Sequence, residues 1–148
     1  MKFEHRVTIA APREAVRAFL DDVPRSARCL PGLEELTAVG NDTYEGRVAV
    51  RVGPLALRIG GTARLERDSE RWRLTGEGRD RRIGAGVVAK VEAHLNDLTP
   101  AGTELLIAAD VQFSGRLAEL GQPLIRRKAD AMVKEFATNI QKAVTGAA

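Results

Sequence analysis

The chain has 148 residues, 44% of them hydrophobic and 29% charged, a composition that fits a globular protein and neither disorder nor membrane burial. Net charge is only +3 and aromatics are 4%, with arginines interleaved among acids as in Arg64-Leu65-Glu66-Arg67-Asp68-Ser69-Glu70-Arg71. A nucleic-acid binder would segregate its basic residues and offer stacking rings, so nucleic acid is not an expected partner.

A lone cysteine, Cys29, and two histidines leave no intrachain disulfide and no zinc-type ligand cluster, so no metal site is expected. Residues after Met1 enter an alternating pattern without an apolar secretory core, and nothing approaches the roughly 18 apolar residues of a membrane helix. The expected location is the cytoplasm.

Residues 3–10 alternate, Phe3, His5, Val7 and Ile9 against Glu4, Arg6 and Thr8, which predicts a strand with one buried face. Ala11-Pro12-Arg13-Glu14 opens a helix whose apolar stripe is Val16, Phe19 and Leu20. It ends at Asp21-Asp22-Val23-Pro24. A short second helix is predicted from Pro24 to Leu30, stopped by Pro31-Gly32.

From Leu33 to Phe113 the pattern is a run of hairpins, with strands at 33–39, 43–52, 55–67, 71–82, 86–98 and 103–113. The turns carry suitable residues: Gly40-Asn41-Asp42, Gly53-Pro54, Asp68-Ser69-Glu70 and Thr99-Pro100-Ala101-Gly102. Short connections imply antiparallel neighbours, in a meander of about seven strands.

The period then changes. Leu117, Leu120, Leu124, Met132, Phe136, Ile140 and Val144 recur at helical spacing. Pro123 should break or kink this segment, which predicts a turn at 115–120 and a helix from about 123 to 144, roughly 33 Å long at 1.5 Å per residue. No repeat or linker suggests a second domain, so residues 1–148 read as one. The fold class is α+β: a curved antiparallel sheet wrapping a long C-terminal helix.

Parity assigns the sheet's two faces. One carries Tyr44, Gly46, Val48, Val50, Leu55, Leu57, Ile59, Gly61, Ala63, Leu65, Trp72, Leu74, Gly76 and Gly78. It continues through Val87, Ala89, Val91, Ala93 and Leu95 to Leu105, Ile107, Ala109, Val111 and Phe113. The other carries charge, including Arg47, Arg58, Arg73, Lys90, Glu92 and His94. The inner face is rich in glycine and alanine. Glycines inside strands mark bends, and small inward residues either let the helix pack closer or leave a ligand-sized cavity.

Several segments resemble a known family. Val7-Thr8-Ile9-Ala10-Ala11-Pro12-Arg13-Glu14-Ala15-Val16 with Phe19-Leu20-Asp21-Asp22 is similar to the opening of the START-like (SRPBCC) superfamily. Cys29-Leu30-Pro31-Gly32, Gly76-Glu77-Gly78-Arg79-Asp80, Asp110-Val111 and Ser114-Gly115-Arg116-Leu117-Ala118-Glu119-Leu120-Gly121 resemble the CoxG family, named for a component of carbon monoxide dehydrogenase. The resemblance implies a helix-grip fold with a hydrophobic cavity. It also implies a role beside molybdenum hydroxylases such as carbon monoxide dehydrogenase, in membrane recruitment or quinone binding. Some members carry a C-terminal anchor; the final residues Thr145-Gly146-Ala147-Ala148 do not resemble one, so any contact at the inner membrane face is expected to be peripheral.

The leading expectation is non-catalytic binding of a hydrophobic small molecule, a quinone or lipid, with no other cofactor and with molybdenum hydroxylase subunits as partners. The candidate lining is Leu30, Val48, Val50, Leu57, Ile59, Trp72, Leu74, Val91, Leu105, Ile107, Val111, Leu120, Leu124, Met132 and Phe136. Asp80 and Arg82 share the inward parity and either form a polar rim at a cavity mouth or face water across a bulge. Arg79, Arg81, Arg82 and Arg126-Arg127-Lys128 could dock on an anionic membrane or an acidic partner, or simply be solvated.

The alternatives are a cyclase- or hydrolase-like enzyme and an assembly factor acting by protein contact. An enzyme needs a base such as His5 with an orienting acid and a reacting group in reach. His5 reads instead as a structural residue near the sheet edge, His94 as surface, and Cys29 as a small buried hydrophobe. No catalytic residue is assigned.

Overall fold

A computed structural model describes residues 1–98 and 102–146. In chain order the elements are β1 (Lys2–Ile9), α1 (Arg13–Asp21), α2 (Val23–Ala27), β2 (Leu33–Gly40), β3 (Thr43–Val52), β4 (Leu55–Arg67) and β5 (Arg71–Asp80). There follow β6 (Ala85–Leu98), β7 (Gly102–Gly115), a single 3-10 turn (Ala118–Leu120) and α3 (Gln122–Thr145). The expected turn at 99–101 lies outside the described residues.

All seven strands form one antiparallel sheet in the order β1-β7-β6-β5-β4-β3-β2. Hairpins lay β2 to β7 side by side, and β1 joins through β7. The sheet is curved and open, and with the C-terminal helix it makes the START-like helix-grip fold.

Local chemistry sets the boundaries. Pro12 is the residue before α1 rather than its first position, and Val16 and Phe19 turn the helix's apolar stripe inward. The Asp22 carboxylate accepts from Arg25 N at 3.3 Å and caps α2. That helix stops at Ala27, short of the expected Leu30. Gly32 then turns the chain into β2 at φ +85°, where a Cβ would run into the Ala49 carbonyl. Pro123 lies in the first turn of α3, so it starts the helix and bends nothing. Gly146 ends it in the left-handed conformation. Strand β5 stops at Asp80, short of the predicted Arg82, because Gly84 N donates to Asp80 O at 2.9 Å and closes a turn over 80–84.

Helix α3 is fastened chiefly along β1. His5 Nε2 lies 2.7 Å from Asp130 Oδ1, Arg126 Nη2 donates to Lys2 O at 3.1 Å, and Ala10 N donates to Gln141 Oε1 at 3.1 Å. On the opposite side Asn139 Nδ2 donates to Cys29 O at 2.9 Å, tying α3 to the segment after α2.

The core divides in two. One cluster, around Ile9, Val16, Phe19, Cys29, Leu105 and Ile140, fills the end near α1. The other, around Phe3, Val52, Leu55, Leu57, Leu117 and Ile125, fills the end where α3 begins.

Candidate ligand cavity

Between these clusters the concave face is not filled. A cavity of about 520 Å³ lies over the middle strands, with almost wholly apolar walls. That volume falls inside the range usual for small-molecule sites.

Sheet register explains the space. Gly46 pairs with Gly61, and Gly61 with Gly78, so three adjacent strands present a row without side chains. The next row reads Tyr44, Ala63, Gly76, Ala89. All seven residues border the cavity; the glycines and alanines form its floor, and Tyr44 stands at the β3 end of its row. At Gly61 the strands also approach closely: a Cβ there would run into the Glu77 carbonyl. The roof is Phe136 of α3, and Leu20, Val23, Ala27 and Leu30 close the side beneath α1 and α2.

Leu30, Val48, Ile59, Trp72, Leu74, Val91, Leu105, Ile107 and Phe136 line the space. The other expected positions lie outside it. Val50, Leu57, Val111, Leu120 and Leu124 belong to the cluster at the start of α3. There the start of the helix packs closely, with Leu124 against Gly53 in the β3–β4 turn, and leaves no room. Met132, one helical turn before Phe136, is partly buried but beyond the cavity's edge.

Asp80 is not a rim residue, which corrects the expectation pairing it with Arg82 at the mouth. Its side chain is 4% exposed, accepting from Arg58 N at 2.8 Å, Arg82 N at 3.1 Å and Arg82 Nη2 at 3.2 Å. The hydrogen bond from Arg58 N, then that from the Arg82 guanidinium, holds its carboxyl below the ordinary aspartate value. It fastens the β5–β6 turn to β4. Arg82 itself is 65% exposed and also donates to Ala56 O at 3.3 Å.

Sequence parity could not supply the walls from α1, α2 and β2, namely Leu20, Val23, Ser26, Ala27, Leu33 and Leu36. Their alternation or helical period marks an inward face but not what that face meets. Tyr44 faces inward by parity, yet nothing in its spacing sets it apart from its neighbours.

Polar groups within the cavity are few. The Trp72 ring lines the space while its Nε1 donates to Asp21 Oδ1 at 2.9 Å, away from it. Ser26 Oγ donates to Leu20 O at 3.4 Å. Thr62 and Glu77 border the space from exposed, outward-parity positions. Neither His5 nor Asp130 lines it, so this histidine–carboxylate pair lies away from any substrate the cavity could hold. Cys29 is buried in the α1-side cluster, and burial raises its thiol above the ordinary value despite the opposing charge of Arg25. Among the described residues no group of three or more His, Cys, Asp or Glu could hold a metal, and no helix is long and apolar enough to cross a membrane.

Solved structures with the same fold include a conserved protein from Geobacillus kaustophilus, 18% identical with TM-score 0.89, covering 99% of this chain and 96% of that one. A START superfamily protein from Mycobacterium smegmatis is 15% identical with TM-score 0.71, covering 99% of each chain. The Zhui aromatase/cyclase from Streptomyces sp. R1128 is 21% identical with TM-score 0.61, covering 99% of this chain and 92% of that one. These identities carry the fold alone. None of the curated proteins compared matches the sequence. The model of the carbon monoxide dehydrogenase CoxG family matches residues 6–145, nearly the whole length, and the chain belongs to that family.

Proposed function

We propose that the protein is a non-catalytic carrier that binds one uncharged hydrophobic molecule, a quinone or related lipid, and serves a molybdenum hydroxylase of the carbon monoxide dehydrogenase type. The observation that carries this is the unfilled apolar space of about 520 Å³ above a floor of glycine and alanine. Native interiors pack to crystal-like density, so a space this large and this apolar is a site rather than a packing fault.

Each roughly 100 Å² of apolar ligand surface removed from water contributes about 2.5 kcal/mol before association costs. Inward-facing charge is missing from the lining among the described residues, and an unpaired charge there would be costly. That argues for an uncharged ligand. The family's description supports the partner, and the exposed Arg79, Arg81 and Arg127, which form no ion pair among the described residues, support peripheral contact with an anionic surface.

The fold also houses enzymes, the aromatase/cyclase among them. General acid–base chemistry needs a titratable group within reach of the reacting atom. Among the described residues the cavity lining offers no carboxylate or histidine that faces inward, which favours the carrier reading.

Native mass spectrometry of freshly purified protein tests it. The expected result is a co-purifying hydrophobe in the 1:1 complex. No such adduct, together with no rise in melting temperature on adding a short-chain quinone, would refute it.

A further inference from the structure

The cavity is not sealed equally on every side. Its two ends are plugged by the core clusters, but Leu33, Leu36 and Tyr44 border both the cavity and a separate surface depression of about 390 Å³ between α2 and β2. These three residues form a partition between the two spaces. Leu33 and Leu36 lie on β2, and Tyr44 lies on β3 beside it. Strand β2 is an edge strand, paired on one side only, and its register with β3 shifts twice. Helix α2 has five residues.

Tyr44 is the chain's one tyrosine and is half-buried. Its hydroxyl has no hydrogen-bond partner among the described residues. It is not a sealed orphan either, since the only fully buried unpaired side-chain polar atom among them is Arg13 Nε. The other polar groups of the inner wall are committed, the Trp72 N–H to Asp21 and the Ser26 hydroxyl to Leu20 O. A phenol can donate to a carbonyl or accept from a hydroxyl. An oxygen buried elsewhere against these walls would go unsatisfied, and that is unfavourable.

We propose that this partition is the entrance to the cavity, and that the Tyr44 hydroxyl anchors the terminal carbonyl or hydroxyl oxygen of an otherwise apolar ligand. The polar end stays at the entrance while the apolar body lies on the glycine–alanine floor. This rests on the carrier reading above and deepens it, assigning the ligand's orientation and the residue that sets it.

The test uses two shape-matched probes, 1-tetralone and its hydrocarbon counterpart tetralin, each displacing the uncharged fluorophore N-phenyl-1-naphthylamine from wild type and from Tyr44→Phe. The substitution should weaken 1-tetralone about three- to tenfold, as expected for one neutral hydrogen bond, and change tetralin less than about twofold. An equal effect on both probes, or none on either while both still bind, overturns the anchor and leaves the cavity standing. Failure of the fluorophore and both probes to bind wild type overturns the carrier reading and the anchor together.

Discussion

Trp72 shows how one side chain can serve both the scaffold and the site. Its N–H is held by Asp21, which also accepts from Arg67 Nη1 at its backbone oxygen (3.0 Å) and more loosely at its carboxylate (3.5 Å), while the ring faces the cavity. As the only tryptophan it is a built-in reporter. Asp80, by contrast, serves the scaffold alone. Because its folded-state carboxyl is held below the ordinary value, its contribution to stability is complete at neutral pH. That contribution begins to fade as pH falls below about 4, where the unfolded chain takes up the proton, and is gone once the folded carboxyl protonates. Asp80→Asn should lower the melting temperature by a few degrees at pH 7 and by less at pH 3, while leaving ligand affinity unchanged. An equal loss at both pH values, or weakened binding, would contradict this assignment. Parity put Asp80 on the inward face but could not reveal that the strand ends there and that backbone N–H groups hold its carboxylate.

At the scale of elements, the close approach of β4 to β5 depends on Gly61, which pairs with Gly78. Gly61→Ala should cost about 2–3 kcal/mol in denaturant unfolding, because the added methyl meets backbone rather than a side chain that can swing away. A neutral result would mean that the strands can separate freely there. Helix α3 is tied to β1 by a pair whose histidine side chain is 15% exposed and whose aspartate is 47% exposed. A double-mutant cycle on His5→Ala and Asp130→Ala should give a coupling of about 0.5–1 kcal/mol, the scale of a partly solvated pair. The run β2 to β7, most turns and the long helix were legible because alternation and helical period are local, whereas the pairing of β1 with β7 instead of β2 was not. Nor was the seat of α3. Whether Leu124 or Phe136 roofs the cavity depends on which end of the helix meets the sheet directly, and no spacing encodes that.

Taken whole, the molecule is two packed ends with a gap between them. Inward parity foretold small residues; only their register, aligning Gly46 with Gly61 and Gly78, turns them into one floor. Exposed arginines belong to this scale too. Arg126 is partly engaged, its guanidinium 4.9 Å over the Phe3 ring, whereas Arg79, Arg81 and Arg127 form no ion pair among the described residues. Co-sedimentation with liposomes containing anionic lipid should exceed that with neutral liposomes and fall with added salt. Equal recovery would end the membrane proposal without touching the cavity.

The most direct measurement is quenching of Trp72 fluorescence by a short-chain quinone, in wild type and in Ala89→Leu. The longer side chain would rise from the floor into open space, so the variant should keep its melting temperature and lose the ligand's room. A ligand seated on this floor should quench wild type saturably and the variant at least about tenfold more weakly, the loss expected when steric overlap replaces apolar contact. Identical saturable quenching in both proteins, or none in wild type, would contradict a binding cavity at this place.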